Sequence, residues 1–156
     1  MPSPILRFAP SPNGLLHLGH AYSALFTSLW AEALGGRFLL RIEDIDITRS
    51  KPEFTAAIFE DLAWLGLAWE EPVMRQSDRF AIYAAAADRL KRRDLLYPCF
   101  CSRAELAAHA SGTDPDGAPL YPGTCRHLPP GEARRRLEQG VEANWRLKTD
   151  DAVALT

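Results

Sequence analysis

Two histidines, His17 and His20, stand three positions apart in "FAPSPNGLLHLGHAYSAL", directly after an apolar run and a Pro-Asn-Gly turn. At that spacing both rings project from one side of the first turn of a helix. A first turn leaves its N–H groups unpaired and carries the positive end of the helix dipole, which suits a phosphate. Two imidazoles add donors toward phosphate oxygens, and Gly19 between them removes a side chain so that a flat base can approach the backbone. The chemistry suggested is activation by a nucleoside triphosphate. Taken as an isolated pair, the histidines would read as helix caps or core residues; their place after a strand and a turn is what favours the phosphate. A metal site fits less well, because helical ligand pairs favour the i, i+4 spacing and no acidic third ligand lies nearby.

The second group is Cys99, Cys101 and Cys125. Their number is odd, and "MPSPILRFAP" lacks the basic flank and long apolar core of an export signal. A disulfide framework is therefore disfavoured, and thiolate chemistry or metal binding is expected. Residues 109–131, "HASGTDPDGAPLYPGTCRHLPPG", are rich in Gly, Pro and Asp and carry neither the helical nor the strand period. A loop of that length inside a compact domain is usually functional, disordered or stapled.

These residues need elements to hold them, and the pattern supplies an alternation. "PILRFAP" reads as a short buried strand ended by Pro10 and Pro12, and residues 16–34 read as a helix stopped by Gly35-Gly36. "RFLLRIED" reads as the next strand. Pro52 opens a helix whose Phe54, Ile58, Leu62 and Leu65 share a face, with Gly66 at its end. A short strand over residues 73–76 and an Ala-rich helix over 78–93, striped by Phe80, Tyr83, Ala87 and Leu90, complete a β-α-β-α-β-α order. Such alternation with short links predicts an α/β fold with a Rossmann-like, doubly wound parallel sheet, whose ligands sit at the C-terminal ends of the strands. The opening motif then lies at the mouth. Trp30, Trp64, Trp69 and Trp145 fall in apolar stretches and read as packing residues, not as a base-stacking platform.

Composition bounds the rest. The chain has 156 residues, 47% of them hydrophobic, enough for one domain with a small insertion. The net charge of −2 provides no overall basic field, so any nucleic-acid contact must be local. The run Arg134-Arg135-Arg136 in "PGEARRRLEQG" reads as the solvated face of an amphipathic helix. No apolar stretch approaches the roughly 20 residues of a membrane span. A cytoplasmic location and no membrane partner are the expectations.

With motifs and elements together, "RFAPSPNGLLHLGH" followed by "GGRFLLRIEDID" resembles the N-terminal catalytic domain of the class I glutamyl-tRNA synthetase family, with "HLGH" as its version of the HIGH motif. The resemblance covers nearly all of residues 5–148. Within the family, "RIEDID", "YPCFC" and "YPGTCR" are most similar to a shortened paralogue that works on tRNA(Asp). The resemblance implies a two-step reaction in which glutamate attacks the α-phosphate of ATP, accompanied by Mg²⁺, and the glutamyl group then passes to an RNA. For the paralogue the acceptor is the queuosine base of tRNA(Asp).

By the same resemblance, Arg7, Phe8, Ala9, Pro10 and Ser11 line the glutamate pocket and Glu43 holds the substrate ammonium. His17, Gly19 and His20 bind ATP, with His17 and His20 stabilising charge on the phosphates. Cys99, Cys101, Tyr121 and Cys125 match the paralogue's zinc pattern, implying a structural Zn²⁺ that staples an insertion. The residues leave the fourth ligand open between Tyr121 and His127: histidine is the commoner zinc ligand, whereas the phenol must lose its proton to bind well. The expected division is a Rossmann-like ATP and glutamate half over 1–98, a zinc insertion over 99–130, and the start of a continuing catalytic domain over 131–156, in a monomer. The family's second, lysine-containing motif is not found, the only lysines being Lys51, Lys91 and Lys148, so an incomplete active site is expected. The rival readings are an ordinary glutamyl-tRNA synthetase fragment and a non-catalytic, zinc-stapled module that binds RNA or protein.

Overall fold

The computed structural model describes residues 3–149, and the contacts gather them into two compact units, one up to Ile82 and the other from Tyr83. The last residues of the expected third segment, 150–156, lie outside the described residues.

In the first unit, β1 (Ile5–Phe8), α1 (Leu18–Ala33), β2 (Arg37–Ile42), α2 (Pro52–Trp64) and β3 (Met74–Arg75) follow in order, then a 3-10 turn over Ser77–Arg79. β1 pairs with β2 in parallel, Phe8 opposite Leu40, and β2 pairs with β3 in parallel, Arg41 opposite Met74. Alternation sends Leu6, Phe8, Phe38, Leu40 and Ile42 to one face, where they pack with Ala24 and Ala31 of α1 and with Ile58 and Leu62 of α2. Helix α1 ends where the punctuation predicts: Gly35, at φ +59°, takes the left-handed conformation that other residues resist.

The parallel sheet expected from the alternation is present. The double winding is not, among the described residues. The order β1-β2-β3 advances in one direction, and right-handed crossovers then carry α1 and α2 over the same face. A reversal of strand order, which defines a doubly wound sheet, does not occur there.

The tryptophans need a similar correction. Trp30, Trp64 and Trp145 are substantially exposed, Trp64 to 85%. Only Trp69 is half-buried, its ring centroid 5.8 Å from that of Phe59. The reason is visible in α1, which meets the sheet through two small residues, Ala24 and Ala31. Close approach on that side leaves Tyr22, Phe26 and Trp30 as an exposed row, Tyr22 stacked on Phe26 and Phe26 edge-on to Trp30.

In the second unit, α3 (Phe80–Arg92), whose first turn the boundary crosses, leads to β4 (Leu96–Cys99), α4 (Arg103–Ala108), α5 (Pro130–Glu138) and β5 (Asn144–Leu147). β4 and β5 form an antiparallel pair, Tyr97 opposite Arg146 and Cys99 opposite Asn144. The core here is small: Tyr97, Cys99 and Cys125, with Phe100, Cys101, Tyr121 and Leu128 packed around them. The Arg run lies on α5 as expected, where Glu132 pairs with both Arg135 and Arg136.

Candidate functional sites

In the first unit, the loops after β1 and β2 are tied together by backbone. Glu43 N–H donates to Pro10 O at 2.9 Å, and Lys51 N–H donates to Pro12 O at 3.0 Å. The C-terminal ends of two adjacent parallel strands are thus joined, and they carry Phe8, Ala9, Pro10 and Ser11 on one side and Glu43 on the other. Phe8 and Pro10 are buried and form the floor, while Ser11 is exposed. Arg7 points from the sheet face opposite the helices. There it lines a cavity of about 220 Å³ with Arg37, Leu39, Arg41 and Glu70. Glu43 pairs with Arg41, not with Arg7, and Arg41 Nε is buried without a hydrogen-bond partner. A cation is therefore already the preferred neighbour of the Glu43 carboxylate.

Asp44, one residue on, is buried and fully committed. It accepts from Arg75 Nε at 2.9 Å, from Ser77 N–H at 2.9 Å and from Ser77 Oγ at 2.8 Å. Burial alone would push its carboxyl up, but these bonds outweigh it and hold the group below its usual value of 3.8. The link fixes the loop after β2 to the segment after β3, and so holds Glu43 at its strand end. Sequence reasoning missed this role, since Arg75 and Ser77 lie more than 30 positions away and no local pattern joins them.

The two histidines meet with ring centroids 3.9 Å apart. Their arrangement differs from a pair of free donors. His17 is the N-cap of α1: its Nδ1 accepts from Gly19 N–H at 3.1 Å, and His20 Nδ1 accepts from His17 N–H at 3.2 Å. This is an imidazole version of the reciprocal capping box. The helix N–H of Gly19, expected to face a phosphate, is taken by the His17 ring. Each histidine keeps its Nε2 for another partner, which only a proton on that nitrogen makes a donor. Partial burial first, and the neighbouring His17 second, lower the pKa of His20. Gly19 also has a local reason to be glycine. A Cβ there would stand 3.0 Å from His17 Cε1, so a side chain would displace the capping ring.

In the second unit, the sulfurs of Cys99, Cys101 and Cys125 all lie within 4.8 Å of one another, and Cys101 Sγ is 3.5 Å from Cys125 Sγ. All three are free thiols. A tetrahedral zinc with bonds of about 2.3 Å would separate two sulfurs by roughly 3.8 Å, so the spacing fits one ion. The Tyr121 hydroxyl joins the group, accepting from Cys125 N–H at 2.8 Å. His127 is exposed, and its ring does not belong to the sulfur cluster.

The thiols are electrostatically unequal. For Cys99, burial pushes the pKa up, but hydrogen bonds from Tyr121, the Cys101 backbone, Arg146 and Cys125 bring it down to about 7. Burial, then the neighbouring thiols, push Cys101 up to about 12. Three thiols, the Cys99 one most readily ionised, with a phenol beside them, are a donor set that a divalent cation would complete by displacing protons.

A parallel sheet that collects polar side chains at the ends of adjacent strands, beside a helix capped by histidine, places this chain among the α/β proteins. Its family is narrower than that: the chain belongs to the tRNA synthetases class I (E and Q), catalytic domain, whose profile matches residues 5–156. It is 48% identical to a glutamyl-Q tRNA(Asp) synthetase of Rhodobacter capsulatus, over 97% of this chain and 55% of that protein. It is 45% identical to a glutamate–tRNA ligase 2 of a Methylobacterium species, over 95% of this chain and 33% of that ligase. The crystal structure of the glutamate-tRNA synthetase of Elizabethkingia anophelis superposes with a TM-score of 0.77 at 33% identity, covering 94% of this chain and 33% of that one. The chain thus spans about half the length of the glutamyl-Q relatives and about a third of the glutamate ligases. Among the described residues no helix is long and apolar enough to cross a membrane.

Proposed function

We propose that this chain supplies the ATP and glutamate end of a ligase that activates glutamate as glutamyl-adenylate and passes it to tRNA, the queuosine base of tRNA(Asp) being the acceptor. The observation that carries the first part is the backbone tie between Pro10 and Glu43, which brings a fork-shaped cation, a hydroxyl and a carboxylate to neighbouring strand ends beside the histidine-capped helix. Arg7 suits the substrate carboxylate, since its planar guanidinium can engage both oxygens. Glu43 suits the ammonium, which would take the position that Arg41 now shares. The Nε2 atoms of His17 and His20, when protonated, would donate to phosphate oxygens. Adenylate formation is an in-line displacement needing little covalent help, so positioning and charge stabilisation carry the rate. The Cys99, Cys101, Tyr121 and Cys125 set would hold Zn²⁺, whose contribution is to cross-link a loop that has little core of its own. The queuosine acceptor rests on the likeness to glutamyl-Q relatives in sequence and in the share of their length. The comparable likeness to glutamate–tRNA ligases supports an alternative, the 3′ end of tRNA(Glu).

Each of the three lysines is engaged: Lys51 with Glu53, Lys91 with Asp88 and the Trp145 ring, and Lys148 with Asp94. None of them stands in the family's second, lysine-containing motif, so we expect residues 1–156 alone to catalyse ATP–pyrophosphate exchange with glutamate very weakly. In the enzyme completed to the length of its relatives, Glu43→Gln should weaken glutamate recognition by about 1–3 kcal/mol while ATP binding changes little. Unaltered glutamate kinetics in that variant would remove the ammonium role. Glutamylation of queuosine-bearing tRNA(Asp) against tRNA(Glu) decides the acceptor, and the absence of any nucleotide dependence would favour a non-catalytic binding module.

A further inference from the structure

The β4–β5 pair brings a cation to the cysteine cluster. Arg146 stands opposite Tyr97 and Cys99 opposite Asn144, so Arg146 and Cys99 are diagonal neighbours on one face of the antiparallel pair. The Arg146 guanidinium lies 3.9 Å from the centroid of the Tyr121 ring, and the strand register sets its side chain on the same face as Cys99. Its Nε is buried with no hydrogen-bond partner, so the Tyr121 ring is the contact that holds the planar group beside the cluster. One side chain thus stacks on one of the four donors and lies diagonal to a second.

We infer that Arg146 is a positioning residue of the metal cluster, its guanidinium donating to Cys99 Sγ while stacked on Tyr121, so that both donors are held toward one ion. This rests on the metal reading proposed above. Three thiolates and a phenol around a divalent cation carry a net charge of at least −1. A guanidinium in contact with the set offsets that charge in a partly dry site. The stacking does something charge alone does not: it fixes the plane of the phenol, an uncommon zinc donor that gains most from being aimed. Outer-shell partners of this kind change metal affinity by about 10–100-fold when removed.

The test uses the 156-residue chain and two probes, Zn²⁺ in competition with a chromophoric chelator and Co²⁺ read by its thiolate charge-transfer and ligand-field absorption. Arg146→Met keeps the length and apolar stem of the side chain without the charge or the fork, and should bind Zn²⁺ about 10–100-fold more weakly with a shifted Co²⁺ spectrum. Arg146→Lys keeps a charge without the planar stack, and should recover part of the affinity but not the wild-type spectrum. Far-UV circular dichroism accompanies each variant. Should Arg146→Met fold poorly, the Arg146→Lys spectrum decides, because a purely structural role would be rescued with an unaltered Co²⁺ signature. Wild-type affinity and spectrum in Arg146→Met would overturn the inference. Failure of the unmodified chain to bind either ion tightly would instead overturn the metal reading itself, and the inference with it.

Discussion

The strand ends of the first unit and the cysteine cluster of the second hold reactive side chains by different means. At the strand ends, position comes from backbone. Parallel pairing and the bonds between the loops after β1 and β2 set where Arg7, Ser11 and Glu43 stand, over a core in which Ile42, Ile58 and Leu62 are fully buried. At the cluster, position comes from the side chains themselves. Cys99, Cys101, Tyr121 and Cys125 come from a strand end and a long loop, and the buried core they share consists largely of those same residues. A site borne by a packed sheet can wait empty for its ligand, whereas a site that serves as its own core needs the ligand to be a core.

The comparison is broken most severely by taking the ion away. Structural zinc sites contribute on the order of 10–16 kcal/mol in small domains. Stripping metal with a chelator, or Cys125→Ser, should therefore raise hydrogen exchange at Phe100 N–H and Cys125 N–H by about 10³-fold or more. Amides of α1 and β2 should be unaffected. If residues 99–128 kept their protection without metal, the loop would be self-supporting and the contrast would fail.

The converse perturbation is smaller. Ile58→Ala removes a fully buried side chain from the packing between α2 and the sheet, which should cost about 2–5 kcal/mol on denaturant unfolding. Metal affinity at the cysteines should not move. A variant that lost zinc along with its first unit would show that the two units fold as one.

The same contrast explains what the sequence could tell. Elements of the first unit are legible within a residue or two because punctuation and period agree: Gly35-Gly36 after α1, Pro52 at the start of α2, Gly66 after it. The expected strand over 73–76 shrinks to Met74–Arg75, since only that dipeptide finds a partner on β2. The short β5 and α4 were not foreseen, four and six residues being too few for a period to declare itself. Pairing of the chemical residues at long range was least legible. Arg41 rather than Arg7 beside Glu43, the Asp44 link to Arg75 and Ser77, and Arg146 against Cys99 all depend on strand register. The spacing of the cysteines was informative, and the convergence of their sulfurs was not deducible from it.

A third test sharpens the first side of the comparison. If Asp44 holds Glu43 in place through charge, the effect must depend on pH with a definite sign. The fold lowers the carboxyl's pKa, so its stabilising contribution is complete above the unfolded value of 3.8 and disappears as pH falls through the folded value below it. Asp44→Asn should cost about 2 kcal/mol at neutral pH, a discount from a fully buried pair because Arg75 is partly exposed. The difference between variant and parent should then narrow as the parent is acidified below pH 4. A difference independent of pH would mean that shape, not charge, holds the loop.

The smallest effect concerns His17, where one ring serves two purposes that stability measurements can separate. As the N-cap of α1, its Nδ1 satisfies Gly19 N–H, and any good capping side chain can do the same. Asn is among the best caps, so His17→Asn should leave unfolding free energy within about 0.5 kcal/mol of the parent, whereas His17→Ala should lose about 1 kcal/mol. Only the ring, however, presents a second nitrogen beyond the cap. If that nitrogen meets phosphate, His17→Asn should weaken ATP binding at nearly unchanged stability, and the reciprocal bond from His17 N–H to His20 Nδ1 should keep the second ring in place. Nucleotide titration beside denaturant melts would report both quantities. Equal ATP binding by His17→Asn and the parent would leave His17 a cap and nothing more, and would shift the phosphate contact to His20 alone.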